Sequence, residues 1–177
     1  MQETMKRTSL IRLVGLVVMV GGALYAALSL LGLWGLAESV YTILPLLGVM
    51  AAIAAVHALQ RERYGWRGTL ASFAIFVGAA LVIVGMPLVI AAGAHADWLG
   101  IAQWMVVAGL LAMTLGLVSV GFVTITTRVL PWWSGAALIV SPIFAVLGPL
   151  VGVPWVVVGY AIFRAAGRRT ERPSRVR

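Results

Sequence analysis

The sequence predicts an all-α, polytopic transmembrane helical bundle of six helices, the last two short, with a re-entrant hairpin as the alternative reading of that pair. Three observations predict it. Of the 177 residues, 62% are hydrophobic and only 10% are charged, where soluble domains carry about 25% charged residues. The charged residues divide the chain into five uncharged stretches, 13–37, 39–60, 68–96, 98–127 and 129–163, each long enough for the roughly 20 residues that cross about 30 Å of hydrocarbon. The last stretch is too long for one span and contains Pro142, Pro149 and Pro154, and a proline ring inside a helix removes a hydrogen bond and clashes with the preceding turn.

The first span, 11–33, follows Lys6, Arg7 and Arg12. With Ala27-Leu28-Ser29 it has the outline of a secretory signal, but its apolar run is longer than a signal core and reads as a first crossing. Glu38 and Ser39 suit the N-terminus of a second helix, 39–59, and Asp97 that of a fourth, 98–126. Between them, the turn Arg61-Glu62-Arg63-Tyr64-Gly65-Trp66-Arg67 leads into a third helix, 68–91. Helices five and six are expected at 131–147 and 154–164, with 151 as an alternative start, separated by a turn at 148–154. Trp34, Trp66, Trp98, Trp132 and Trp133 fall at span ends, where interfacial aromatics belong. Residues 1–164 form the transmembrane domain, and 165–177, with Gly167, Pro173 and Ser174, read as a basic, disordered tail.

Charge sets the orientation. With six crossings all 13 lysines and arginines lie on one face, which the positive-inside rule assigns to the cytoplasm together with both termini. Five crossings would strand the arginines of the tail on the opposite side. A re-entrant final hairpin gives the same parity, but its apolar tip would leave backbone groups unsatisfied in lipid, so six crossings are favoured. The net charge of +8 and pI near 11.4 therefore report topology rather than nucleic-acid binding. Arg61, Arg63, Arg67, Arg164, Arg168 and Arg169 are candidate contacts for anionic lipid at that face.

In lipid, helices associate through close backbone approach at small residues. Gly48 and Ala52 on the second helix, Gly78 on the third, and Ala108, Ala112 and Gly116 on the fourth are the expected packing positions, which makes those three helices the expected tight centre.

Candidate sites are few. No acidic or basic residue falls near the middle of a predicted span, which argues against ion-coupled pumps, because such residues mark proton and ion paths. Gln103, Trp104 and Thr114 are candidate cavity-lining residues near the outer end of the fourth helix. His57 is a candidate axial ligand for haem or pigment, but His95 belongs to the opposite face and cannot complete a bis-histidine site. Glu38, His95 and Asp97 are chemically suited to a divalent metal, although helix capping accounts for both acids, and neither metal nor cofactor is expected. The absence of cysteine excludes disulfides, thiolate metal sites and a cysteine nucleophile. No phosphate loop, nucleophile elbow or zinc-protease motif occurs, so no enzyme activity is expected.

The run Thr127-Arg128-Val129-Leu130-Pro131-Trp132-Trp133-Ser134-Gly135, closing with Trp155 and Tyr160-Ala161-Ile162-Phe163-Arg164, resembles the ending of many uncharacterised bacterial multi-pass inner-membrane proteins. The resemblance covers residues 127–164 and implies a bacterial inner membrane without implying an activity. The expected role is that of an accessory or scaffolding subunit, in contact with lipid and another membrane protein. The alternatives are a small permease or lipid-binding facilitator and a single-histidine haem or pigment carrier.

Overall fold

The structure is a computed structural model that describes residues 2–31, 38–91, 96–146 and 150–170. Within these the chain is all-α and forms five helical elements: α1 Gln2–Leu30, α2 Glu38–Ala91, α3 Ala96–Thr127, α4 Trp132–Val146 and α5 Gly152–Thr170. Among the described residues three stretches are long and apolar enough to cross a membrane: Thr8–Leu30, Ile43–Ala91 and Leu99–Thr127.

The expected second and third helices are the two arms of α2, which meet at a kink at Gly65, whose φ of 61° and ψ of −169° are non-helical. The break falls in the arginine-rich segment expected as a turn, and glycine adopts this positive φ without a Cβ clash. The two helices abut at this break, so residues 61–64 and 66–67 belong to helix ends instead of a loop. Both arms of α2 feed one core. Ala52, Ile53 and Val56 of the first arm join Ile75, Ala79 and Val82 of the second, together with Val18 of α1, Val120 of α3 and Val158 of α5.

α3 ends at Thr127, where Arg128 takes a left-handed conformation with φ 50°, a common way to terminate a helix but one that usually selects glycine. Pro131 then opens α4: its carbonyl accepts from the Ser134 amide at 3.0 Å and from the Ser134 hydroxyl at 2.6 Å.

The last helix starts beside the alternative start at 151 and runs past its expected end. α5 begins at Gly152, placing Pro154 in its first turn, where a missing N–H costs no helical bond. It continues past Arg164 to Thr170, so the first part of the segment expected to be disordered is helix, extended by Ala165, Ala166 and the arginines that follow. Residues 171–177 lie outside the described residues.

The helices approach through glycines spaced by seven. Against α3, a methyl built on Gly78 would stand 2.5 Å from the Gly109 carbonyl, and one on Gly116 would stand 2.9 Å from the Ala71 carbonyl. Gly85 completes the series against Ala102, an antiparallel register held over two heptads. Between α1 and α5, Gly15 faces Gly159 and Gly22 faces Gly152, each close enough that a side chain would strike backbone. α3 and α4 meet at Gly121 and Gly135, where a methyl on either would lie 2.6 Å from the other's carbonyl. Seven residues make nearly two turns at 3.6 residues per turn, so such positions stay on one face.

That periodicity decides which small residues pack. Gly78 and Gly116 lie in the close contacts, and Ala52 is fully buried. Ala108 is exposed and Ala112 half-buried, because steps of four rotate about 40° each and walk off the face that contains Gly116. Gly48 has open space where a Cβ would stand.

Candidate functional site

One end of the bundle gathers the cations and a buried polar cluster. Arg12 of α1 lies over the Phe163 ring of α5, 4.5 Å from its centroid, so the start of α1 and the end of α5 are neighbours. One turn earlier on α5, Tyr160 stacks on Trp133 of α4 with centroids 6.1 Å apart. α4 is seated by Gly135 on Gly121 of α3, and Thr124, one turn further along α3, bonds Gln60 of α2. These contacts bring Arg12, Arg61, Arg63, Arg67, Arg128, Arg164 and Arg168 to the same end, and all seven are exposed. Among the described residues none of them pairs with a carboxylate. Trp66 and Trp132, about 72% and 68% exposed, stand among them as headgroup-depth aromatics do.

Beneath this surface, Gln60 is fully buried. Its Nε2 donates to Thr124 Oγ1 at 3.2 Å, and its Oε1 accepts from Thr127 Oγ1 at 3.3 Å. An unpaired amide in an apolar interior would cost several kcal/mol on the order of its transfer energy, so the two threonines, three residues apart on one face of α3, fix where α2 can sit against α3. One turn on, Tyr64 is buried, its hydroxyl beside Thr124 and Ser72 but without a hydrogen bond of good geometry. The Ser72 hydroxyl instead donates to the Gly68 carbonyl at 2.9 Å.

His57 packs edge-on against Tyr64, ring centroids 5.6 Å apart and planes at 78°. Its Nδ1 is buried and without a hydrogen bond. Gln103 is exposed on α3, Trp104 is about 73% exposed beside it, and Thr114 is half-buried. His95 lies outside the described residues, as do the side chains of Glu38, Asp97 and Arg169. Among the described residues no group of three metal-ligating side chains comes together.

Sequence reasoning missed two features that organise this end. Gln60 sits at the edge of a charged segment and reads as a solvated helix end, yet the pair Thr124 and Thr127 on the last turn of α3 was its available complement. The α1–α5 contact was also missed, although Gly15/Gly22 and Gly152/Gly159 share a seven-residue spacing.

The fold and this end together define a class: an all-α protein built to lie in a membrane, with a cationic, aromatic face at one end. The chain matches no family model, no curated protein and no solved structure.

Proposed function

We propose that this chain is a six-crossing protein of a bacterial inner membrane, with both termini cytoplasmic, acting as an accessory or scaffolding subunit anchored by its cationic end. The observation that carries this reading is the collection of exposed arginines, unpaired with carboxylates among the described residues, at one end of an otherwise apolar bundle. Arginine is costly to translocate and is attracted to the anionic cytoplasmic leaflet. Arg128 adds weight: it holds a left-handed backbone that costs an L-residue about 1 kcal/mol or more, so a cation is kept where glycine would sit without strain.

The length of α2 supports two separate crossings within it. The 54 residues of α2 would reach about 80 Å if straight, far beyond one bilayer, and the break at Gly65 gives two arms of crossing length.

The scaffolding role is supported by the interior chemistry. Gln60, Thr124 and Thr127 bond one another, and Ser72 and Ser141 bond their own helices, so these buried polar groups serve the fold instead of lining a path. The absence of native cysteine allows a direct test. Single cysteines at Arg63, Arg128 and Arg168 are expected to resist a membrane-impermeant maleimide in intact cells and react after lysis. Reaction of any of them from outside the cell overturns the topology. Gentle extraction is expected to retain a second membrane protein at fixed stoichiometry, and a chain that purifies alone from cross-linked membranes overturns the scaffolding role.

A further inference from the structure

Beside the glycine contacts of α2 and α3 an open trough of about 590 Å³ starts at Trp66 and Arg67 and runs inward to Ala74 and Leu115. Its origin is the packing itself. Gly116 and Ala71 let the two backbones touch and supply no side chain to fill the crevice alongside, while Leu70, Leu115 and Phe122, each more than half exposed, form its walls. The Ser119 hydroxyl in the lining donates back to the Leu115 carbonyl at 2.7 Å, which leaves the trough apolar along its length. The single charge is Arg67 at the mouth. Its guanidinium lies 5.8 Å from the Trp66 ring centroid and has no carboxylate partner among the described residues.

We infer that this trough is a discrete site for one anionic glycerophospholipid, with the phosphate on Arg67 and an acyl chain lying between α2 and α3. The inference rests on the membrane reading above and narrows it from a diffuse basic surface to one seat. Depth and charge both fit. From Arg67 to Ala74 the helix rises about 11 Å, compared with roughly 15 Å for one leaflet of a hydrocarbon core about 30 Å thick. Trp66 stands at the depth where an indole borders the headgroups. A basic residue at the mouth of an inter-helical pocket on the cationic side is the arrangement that captures acidic headgroups, and a zwitterionic lipid gains less there because its own ammonium opposes the guanidinium. Arg61 and Arg63, outside the trough, contribute only to the general field.

The test uses the full chain, delipidated in mild detergent and titrated with phosphatidylglycerol or phosphatidylcholine while native mass spectrometry counts bound lipid. One phosphatidylglycerol is expected to bind in preference to phosphatidylcholine. Arg67→Gln is expected to weaken it about fivefold. Ala74→Phe, which fills the trough without changing charge, and Ser119→Leu, which fills it from the α3 side should the first variant fail to fold, are expected to do the same. Arg63→Gln is expected to have little effect. The inference is overturned if Arg63→Gln weakens binding as much as Arg67→Gln while the filling variants bind normally, because the lipid then sees a diffuse surface. Equal binding of phosphatidylcholine overturns it too, as does a dimer that occupies the trough and is lost in Ala74→Phe. Lipid retention in detergent is independent of which leaflet the arginines face. Failure here with the labelling pattern intact therefore sinks the site alone, and a reversed labelling pattern with the site intact sinks the orientation alone.

Discussion

The α1–α5 pair and the α2–α3 pair are both antiparallel and both zipped by glycines seven residues apart, and the second is joined as well by the Gln60 amide bonded to two threonines. Between α1 and α5, Gly15 meets Gly159 and Gly22 meets Gly152, and at the cationic end the pair closes with Arg12 over Phe163. Between α2 and α3 the contacts of Gly78 with Gly109 and of Gly116 with Ala71 are joined by Gln60 bonded to Thr124 and Thr127. Backbone contact sets how near two helices come. A satisfied amide sets which register they adopt, because sliding by one turn would leave it unpaired in a medium with no water to take the partner's place.

The largest effect expected from this comparison is at the glycine contacts of α1 and α5. A leucine at Gly159 would drive its side chain into the Gly15 carbonyl and the Met19 backbone, where a Cβ already lies at 2.7 and 2.5 Å. Because backbone cannot step aside as a side chain can, Gly159→Leu is expected to lower stability by about 3 kcal/mol or more, measured by SDS titration in mixed micelles. Wild-type stability in this variant would mean that α5 is not held on α1 through that face.

Next in size is the polar cluster. Gln60→Leu keeps the volume but strips the Thr124 hydroxyl of its Gln60 partner and leaves Thr127 with the Thr124 carbonyl alone, at an expected cost of about 1 kcal/mol, within the range measured for hydrogen bonds between membrane helices. An unchanged unfolding midpoint would reduce the α2–α3 pair to the same kind of contact as α1–α5. Tyr64→Phe sharpens the same point from the other side. Its hydroxyl is buried without a well-formed hydrogen bond, so removing it is expected to leave stability unchanged within about 0.5 kcal/mol or to raise it. A loss comparable to that of Gln60→Leu would show that Tyr64 belongs to the bonded cluster.

An effect of the opposite sign is expected at Gly48, where a Cβ would meet nothing within 4 Å. Gly48→Ala is expected to raise stability by up to about 1 kcal/mol through helix propensity alone. A clear loss would place a neighbour against that face of α2.

Much of the helix placement was legible because charge and proline are read locally. Arg61 to Arg67 marked the segment that contains the Gly65 break, Arg128 marked the end of α3, and Pro149 and Pro154 bracketed the passage from α4 to α5. The extension of α5 to Thr170 was not legible in the same way, since a basic, glycine-containing segment has a polar composition whether or not the helix before it continues. The candidate site was legible at its surface and hidden beneath it. Its arginines stand out in any apolar sequence, whereas Gln60 gains its meaning only from Thr124 and Thr127, more than sixty residues away.

By itself the sequence determined that this chain is helical, apolar and cationic at its helix ends, because hydropathy and charge act on each segment against lipid or water with no reference to other segments. Which glycines touch, that α5 lies along α1, that Gln60 is interior and that a trough opens beside Arg67 were decided by the tertiary structure. Small residues suit close approach on any helix, and only the packed arrangement selects which face meets which partner and which crevice is left open.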